Sequence, residues 1–258
     1  MTVLLGTSGW QYDSWRGRFY PEEVAKARWL EYYAARFATV ESNAAFYRLP
    51  EYRTFADWAA RTPDDFVVAV KASRYLTHVR RLREPEEPVH RLAERLDGLG
   101  EKCGPVLLQL PPTLRIDLDA LDATLRAFPA GRRVAVEPRH PSWFVDGIRR
   151  LLERRGAALC LADRSDHRSP LWVTAPWGYV RFHEGRATPR PCYGRRALGT
   201  WAARLADLWT DAEAVYCYFN NDAQGCAPHD ARTLALALGR IGRSASRVPT
   251  SAEVRVGI

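Results

Sequence analysis

Cysteine is scarce in this sequence, and its spacing suggests no bound group. The chain has five cysteines among 258 residues, an odd number, and no two of them form a CxxC pair. They are Cys103, Cys160, Cys192, Cys217 and Cys226. Cys160 and Cys217 stand within apolar segments, where a thiol usually packs as a small hydrophobic group. The sequence therefore predicts neither a disulfide framework nor a cysteine-bound metal.

Long hydrophobic segments are also missing. No apolar run approaches the roughly 18 residues that a membrane-spanning helix requires. The first ten residues, MTVLLGTSGW, are typical of a strand, and they lack the basic stretch and apolar core of a secretory signal. We therefore expect a cytoplasmic protein without a membrane partner.

The common motifs for cofactors, metals and nucleic acids are absent as well. The loop GTSGWQYDSWRGRFYP has no GxGxxG fingerprint and is too long for a dinucleotide-binding turn. The sequence contains no HxH or HExxH pair. It also has no RNP, zinc-finger or helix-turn-helix pattern. We therefore predict no cofactor and no resident metal.

Positive charge, in contrast, is abundant. The net charge is +8 at pH 7, and arginine supplies most of the basic side chains. Such an excess favours a small anionic substrate, with nucleic acid as a less favoured partner. The competing interpretation is an arginine-rich chain in which the charges lie on solvated helix faces.

Short apolar runs with β character recur along the chain and alternate with segments of helical period. The chain length and the 47% hydrophobic content allow one large core. The eight runs cover residues 3–9, 38–43, 66–73, 105–111, 133–139, 157–163, 178–183 and 214–221. The predicted helices cover residues 23–37, 51–61, 88–102, 117–127, 144–155, 199–210 and 228–239.

This alternation predicts an α/β fold, a single TIM-like (β/α)8 barrel over residues 1–242. The sixth gap, RSDHRSPLWVTAPW, is too polar and proline-rich for a full helix, so we expect the sixth helix to be degenerate. The Arg- and Ser-rich residues 243–258 read as a loosely attached tail. A doubly wound open sheet is the alternative fold.

Polar residues are concentrated at the ends of the predicted strands. Residues i and i+2 of a strand share a face, so each strand end contributes one pair of side chains to the same face. The pairs are Ser8 and Trp10, Glu41 and Asn43, Lys71 and Ser73, Leu107 and Gln109, Glu137 and Arg139, Leu161 and Asp163, Arg181 and His183, and Tyr218 and Asn220. Barrel enzymes carry their active sites at this end, so we predict a site there. An ion-pair network that closes the top of the barrel is the structural alternative.

Several long motifs resemble one known family. They are SGW…W.G.FYP (8–21), VE.N..FYRLP (40–50), PDDF..AVKASR..TH (63–78), LG.K.GP.LLQLPP (99–112), AVEPRHPSWF (135–144), LAD (161–163), YVRFH.G (179–185) and YFNND..G.AP..A (218–231). The chain resembles the YecE-like family, domain of unknown function family 72, over nearly its whole length. The resemblance implies a TIM-like barrel and no particular reaction. The family usually has N-S-T-F-Y after the second strand, whereas Ala44 and Ala45 replace the two hydroxyl residues here.

The candidate catalytic residues are Glu41, Lys71, Glu137, Asp163 and His183. Two opposed carboxyl groups can divide the general acid and general base roles. Arg139 is predicted to keep Glu137 ionised, whereas Glu41 has no cation near it in sequence and is the candidate for the protonated partner. A desolvated Lys71 can serve as a base or a Schiff-base amine, or it can form a salt bridge with Glu41.

The candidate binding residues are charged, amide and aromatic side chains near the strand ends. They are Trp10, Asn43, Tyr47, Arg74, His78, Gln109, Arg139, His140, Trp143, Arg181, Tyr218 and Asn220. Among them, Arg139 and Arg181 are expected to form an anion pocket with Lys71 beside Glu137.

The favoured function is an enzyme that binds a small anionic or polyhydroxylated substrate and uses metal-independent acid–base chemistry, with hydrolysis preferred. One alternative is a divalent-metal hydrolase or isomerase, with nucleic acid among its candidate substrates, that uses Glu137, Asp163 and His183. Arg139 and Arg181 would repel the metal in that case. The other alternative is a non-catalytic binding barrel. The sequence leaves the oligomeric state open.

Overall fold

A computed structural model of the chain describes residues 2–164 and 169–256. The strands are β1 (Thr2–Thr7), β2 (Thr39–Ser42), β3 (Val67–Lys71), β4 (Cys103–Gln109), β5 (Val134–Glu137), β6 (Ala158–Asp163), β7 (Gly178–Phe182), β8 (Ala214–Phe219) and β9 (Ser244–Ala245). The helices are α1 (Trp29–Ala34), α2 (Ala44–Tyr47), α3 (Tyr52–Ala60), α4 (Glu86–Leu96), α5 (Leu118–Ala127), α6 (Asp146–Arg155), α7 (Arg195–Leu208) and α8 (Cys226–Arg240). All eight predicted strands are therefore present.

The strands form one curled, parallel sheet in the order β2-β3-β4-β5-β6-β7-β8-β1-β9. The curl brings β1 and β2 together at a bridge between Ser8 and Glu41, where Gly9 N donates to Glu41 O at 2.8 Å. Helices flank the sheet on its outer side. The fold is the predicted TIM-like barrel, and solved structures with this fold are described below.

The contact between β1 and β2 depends on one tyrosine and one glycine. The hydroxyl of Tyr33, on α1, accepts from Thr7 N at 3.0 Å and donates to Thr39 O at 3.0 Å. This hydroxyl therefore bridges the two strands where they make no direct ladder. A Cβ atom on Gly6 would lie 2.3 Å from Thr39 O, so only glycine permits this approach of the two backbones.

The segment after residue 242 packs against the barrel, in contrast to the expected loose tail. Its strand β9 pairs with the start of β1, and Ser246 N donates to Val3 O at 2.8 Å. The Ser246 hydroxyl accepts from Leu5 N at 2.9 Å. Arg247 donates to Ala34 O at 2.9 Å and forms an ion pair with Asp65. The tail thus fills the seam between β1 and β2 at the amino-terminal end of the barrel.

The segment between β6 and β7 contains no helix in its described residues, 164 and 169–177, as predicted. Its hydroxyl groups instead bind the backbone of β6 and of Ala157, the residue before it. Thr174 Oγ1 accepts from Leu159 N at 2.8 Å and donates to Ala157 O at 2.7 Å. Ser169 Oγ accepts from Ala162 N at 2.8 Å. The side chains therefore satisfy backbone groups that a neighbouring strand leaves unpaired.

The barrel interior is filled unevenly. Small or aliphatic side chains point inward from β3 to β6, among them Ala69, Leu107, Ala135 and Cys160. The opposite wall supplies tyrosines instead, namely Tyr179, Tyr216 and Tyr218. Large rings on one wall thus fill the space that small residues leave on the other, as close packing requires. The polar residues of the mouth lie above this layer.

A disulfide joins Cys192 to Cys226 and corrects the expectation that no such bond exists. It ties the segment after β7 to the first residue of α8, across 34 positions of sequence. Asp230 reinforces this connection, because it accepts from Tyr193 N at 2.8 Å and from the Asn221 amide at 2.7 Å. Sequence spacing could not reveal the pair, since only the folded loop brings the two thiols together. Cys160 and Cys217 are buried free thiols, as expected.

No described helix has the length and apolarity that a bilayer crossing demands.

Candidate active site at the barrel mouth

A buried arginine forms the floor of the mouth. Arg181, near the end of β7, donates to Glu137 Oε2 at 2.7 Å and to Glu41 Oε1 at 2.8 Å. Glu41 also accepts from the hydroxyl of Tyr179 at 2.7 Å. Arg181 and Glu137 are 1% exposed and Glu41 is fully buried, so all three lie beneath the solvent-accessible layer. One guanidinium therefore binds two glutamates from opposite sides of the barrel.

This arrangement corrects two expectations about the site. Glu41 lacks a nearby cation in sequence but has one in space, because Arg181 reaches it from β7. Both terminal nitrogens of Arg181 are engaged by glutamates, so they are not available to grip a substrate anion. Its Nε is buried without a partner among the described residues. The anion pocket predicted for Lys71, Arg139 and Arg181 is thereby reduced to the first two.

Glu137 is the most heavily contacted carboxylate of the mouth. Burial by itself raises its pKa, but Arg181, His183 and Arg139 outweigh that effect and hold the pKa well below its usual range. Gln109 Nε2 lies 3.4 Å from Glu137 Oε2, and Arg139 lies 3.5 Å from Glu137 Oε1. Glu137 is therefore a permanent anion that orients its neighbours.

His183 is held at both of its ring nitrogens. Its Nε2 lies 3.1 Å from Glu137 Oε1, and the Asn220 amide lies 3.3 Å from its Nδ1. If the amide donates to Nδ1, the Nε2–H donates to Glu137, which describes a neutral imidazole. Burial lowers the pKa of His183, although Glu137 opposes the shift. His183 therefore serves better as an oriented donor than as a free base.

Lys71 differs from Arg139 and Arg181, which both contact glutamates. It ends β3, is 9% exposed, and has no carboxylate within ion-pair distance in the described part of the chain. The salt bridge with Glu41, the alternative role considered for Lys71, is thus absent there. Its Nζ instead lies 3.8 Å from the centre of the Phe46 ring. Burial, and then Arg181, lower the pKa of Lys71 to about 8.

Positive charge surrounds the opening above Lys71. Burial, together with the charges of Lys71, Arg74 and Arg139, lowers the pKa of His78 to about 4. The His78 Nδ1 pairs with the Thr77 hydroxyl at 2.9 Å, and its ring contacts Phe46 edge-on. Lys71, Arg74 and Arg139 thus surround a neutral imidazole. This side of the mouth is therefore positively charged and attracts anions.

Asp163 does not join the mouth. In β6 the inward residue is Cys160, and Leu161 belongs to the outer core beneath the helices. Asp163 therefore faces outward, where its carboxylate accepts from Trp201 Nε1 of α7 at 2.9 Å. The prediction that Asp163 shares a face with Glu137 and His183 was wrong, because the inward-facing residues of β6 are the alternate ones. Glu137, Asp163 and His183 therefore do not form a common metal site.

Four of the predicted binding side chains have structural partners instead. The Tyr218 hydroxyl pairs with Thr39 Oγ1 at 2.7 Å within the barrel, and Trp143 Nε1 donates to Leu114 O at 2.7 Å. Trp10 is buried against Trp58, and His140 Nδ1 pairs with the Ser142 hydroxyl at 2.8 Å. Tyr218 therefore belongs to the barrel interior, and the other three residues shape the loops around the mouth.

The remaining predicted residues lie around the opening. Asn43 has a buried Oδ1 without a partner among the described residues, so it is free to accept from a ligand. Tyr47 is 82% exposed, and Arg74 lines a cavity beside it. Arg139 keeps about a quarter of its side chain exposed, with 26% accessible. Gln109 and Asn220 are described above.

Two tyrosines near the mouth were not among the predicted site residues. Tyr179 lies two residues before Arg181 on the same face, so parity could have found it, but it stands below the point where the strand turns polar. Tyr12 lies in the loop after β1 and its hydroxyl donates to Ser8 O. Burial, Asp222 and Glu41 raise the pKa of Tyr12, which keeps it protonated as a donor.

The donor set of the mouth does not favour a dication. Glu41, Glu137 and His183 offer suitable ligand atoms, but the Arg181 guanidinium occupies the space between the two carboxylates. Elsewhere in the described residues, one group of possible ligands comprises Cys192, His229 and Asp230. Cys192 is bonded to Cys226 there, so it presents no thiolate to a metal.

The comparisons with known proteins are consistent with one family. A family model described as "Protein of unknown function DUF72" matches residues 4–253. The UPF0759 protein YecE of Escherichia coli is 33% identical over 140 residues, which are 52% of this chain and 52% of that protein. The chain is thus matched over about half the length of that relative.

Solved structures extend the likeness to the whole fold. A DUF72 family protein from Thermotoga maritima superposes with a TM-score of 0.82 and 26% identity, covering 93% of this chain and 100% of that one. A DUF72 family protein from Enterococcus faecalis gives a TM-score of 0.78 at 19% identity, covering 92% and 95% respectively. The latter supports the fold alone. The chain therefore belongs to the DUF72 family, a family of barrel proteins described as being of unknown function.

Proposed function

We propose that the chain is an enzyme whose barrel mouth binds a small anionic substrate and transfers protons through Lys71 without a metal. The observation that carries the proposal is the state of Lys71, a largely buried amine that pairs with no described carboxylate. An unpaired, desolvated ammonium loses its proton near neutral pH, and the pKa of about 8 places Lys71 in that range. Such an amine can act as a general base or as a nucleophile.

The choice of lysine at this position is itself informative. Only three of the 38 basic side chains are lysines, namely Lys26, Lys71 and Lys102. Lys26 pairs with Asp13 on the surface, and Lys102 donates to Ala59 O and Thr62 O. An arginine could replace either of these contacts, but arginine cannot lose its proton in a protein. Of the two long basic side chains, only lysine can therefore release a proton at the mouth.

The two glutamates are not arranged for the paired-carboxylate acid–base chemistry considered from the sequence. Both are bonded to Arg181 and lie beneath the mouth, so neither is placed to attack a substrate. Their proposed role is to fix Arg181, His183 and the shape of the floor. Hydrolysis remains our favoured reaction class, with Lys71 activating the water and Arg139 binding the anionic group.

The test measures the three lysines separately. Reductive methylation with ¹³C-formaldehyde yields one resonance for each lysine, and we expect that of Lys71 to titrate with a midpoint near 8. A Lys71→Met variant identifies the signal. The same variant and Lys71→Arg are then screened with phosphate and carboxylate esters, and both are expected to lose hydrolysis of any ester that the wild type cleaves.

Three results contradict the proposal. A Lys71 midpoint above about 10, the ordinary range of lysine, means that the amine is permanently charged. Full turnover by Lys71→Met means that another group moves the proton. Saturable anion binding without turnover across the ester series identifies the chain as a binding barrel.

A further inference from the structure

A cavity of about 290 Å³ opens directly beside the cationic side of the mouth. Its lining includes Phe46, Tyr47, Ser73, Arg74 and Tyr75. Phe46 joins the two regions, because its ring contacts both the Lys71 ammonium at 3.8 Å and the His78 ring at 5.1 Å. A ligand held by Lys71 therefore has a neighbouring space into which a second group of the same molecule can extend.

The chemistry of the cavity suits a flat ring. Tyr47 is 82% exposed and Tyr75 is 43% exposed, and two large exposed aromatic side chains in one cavity offer faces for stacking. Most of the remaining lining is apolar, with Ala45, Leu49, Val79, Pro88 and Leu92. A polyhydroxylated sugar would leave hydroxyl groups without partners against such a wall, whereas the faces of a heterocyclic base need none.

The charge of the lining favours an anionic group at the junction between the cavity and the mouth. Among the described residues that line the cavity, none is acidic, and Arg74 and Arg91 are basic. Arg91 is paired at 3.5 Å with Glu87, so Arg74 is the cation at the junction with the mouth. Lys71 and Arg139 lie beyond it and act with Arg74 on His78. A phosphate at this junction is consistent with all three cations.

We propose that the site binds a nucleoside monophosphate, with the phosphate at Lys71, Arg74 and Arg139 and the base in the cavity beside Tyr47 and Tyr75. This inference rests on the proposed function, because it identifies the anionic group that the mouth binds. The volume favours one nucleotide over a polymer, since 290 Å³ lies just below the roughly 300–1,000 Å³ of ligand pockets. It accommodates a single base.

The experiment compares four probes by calorimetric titration at fixed salt: adenosine 5′-monophosphate, ribose 5-phosphate, adenosine and inorganic phosphate. We expect the monophosphate to bind at least about tenfold more tightly than ribose 5-phosphate, because base stacking on an aromatic side chain is worth about 1–3 kcal/mol. Tyr47→Ala should reduce binding of the monophosphate by about 5- to 150-fold, the same range converted to affinity, and leave ribose 5-phosphate unchanged.

Matched variants distinguish the cavity from the general surface. Tyr52 on α3 is 51% exposed and lies outside the cavity, so Tyr52→Ala should bind all probes as the wild type does. Arg74→Ala should weaken both phosphate-bearing sugar ligands, whereas the exposed Arg53→Ala should weaken neither. None of these side chains belongs to the packed core, so the variants are expected to fold.

Each other outcome overturns a defined part of the inference. Equal binding of adenosine 5′-monophosphate and ribose 5-phosphate refutes the base site but leaves the anion site of the proposed function intact. Binding of adenosine with no effect of phosphate refutes the anion site and the proposed function with it. An oligonucleotide that binds far more tightly than the monophosphate identifies nucleic acid as the ligand and refutes the nucleotide.

Discussion

Arg181 is the residue on which the mouth depends most. The sequence places Arg139 two positions from Glu137, and that proximity suggests the pair. In the structure Arg181 is the closer partner, at 2.7 Å against 3.5 Å for Arg139. Parity along a strand predicts which residues share a face, but the partner across the barrel depends on strand order and stagger. Arg181 is therefore part of the floor, and the more exposed Arg139 is the cation that can meet a ligand.

Removal of Arg181 should destabilise the protein strongly. Arg181→Ala would leave two buried carboxylates without their shared cation, and we expect a loss of about 3–5 kcal/mol in the free energy of unfolding. Urea denaturation at pH 7 measures the change. Arg139→Ala is the control and should cost about 1 kcal/mol or less, and equal losses in the two variants would contradict the assignment of Arg181 to the floor.

At the level of elements, the carboxy-terminal segment has a larger role than its composition indicates. Its Arg- and Ser-rich sequence is typical of a solvated tail, yet Ser246 and Arg247 bind backbone groups of β1 and α1. Strand β9 has only two residues, which is too few for an alternating pattern that would predict a strand from the sequence. Its position follows from the seam between β1 and β2, where unpaired backbone groups require partners.

Ser246→Ala tests the role of this segment. The Leu5 N–H is part-buried and would lose its acceptor, which should cost about 1–3 kcal/mol. Thermal unfolding and urea denaturation measure the loss. The exposed Ser251→Ala, in the same segment, should leave stability within about 0.5 kcal/mol of wild type. A wild-type unfolding midpoint for Ser246→Ala would mean that the tail does not support the barrel seam.

For the whole molecule, the mouth makes stability depend on pH. The pKa values of His78 and His183 are lowered by burial in the folded chain, to about 4 for His78, whereas both return to about 6.5 on unfolding. Below about 6.5 the unfolded chain therefore binds more protons, and acid favours it. Glu137 also makes the fold less stable in acid. Its pKa is lowered in the folded chain, so its stabilising effect is complete above the ordinary carboxyl pKa and is lost as the pH falls below that value.

We therefore expect the urea concentration at half-unfolding to decrease as the pH is lowered from 7.5 to 5. Lys71 extends the same trend to alkaline pH, because its folded pKa of about 8 lies below the ordinary value of about 10.4. The contribution of Lys71 to the free energy of unfolding should thus increase as the pH rises from about 8 to about 10. His78→Asn should flatten the acid side of the profile. An unfolding midpoint that is constant from pH 5 to pH 7.5 would show that these histidines titrate normally in the folded chain.

The sequence by itself determined the barrel and most of its mouth. Apolar segments that alternate with helical ones specify a parallel sheet covered by helices, and the period of two in each strand specifies which side chains face inward. These local rules placed Glu41, Lys71, Glu137 and Arg181 on the inner face. They also identified the missing sixth helix, because proline and polar residues exclude a buried helical stripe whatever lies nearby.

Only the tertiary structure decided the partners. Asp163 faces outward because the last residue of β6 lies on the outer side of the sheet, as Leu161 does. The apolar run LCLAD does not show which of its alternate residues face inward. The Cys192–Cys226 bond, the pairing of β9 with β1 and the choice of Arg181 over Lys71 as the partner of Glu41 all join residues far apart in sequence. Such contacts depend on how the barrel closes, since strand stagger sets which side chains meet across it.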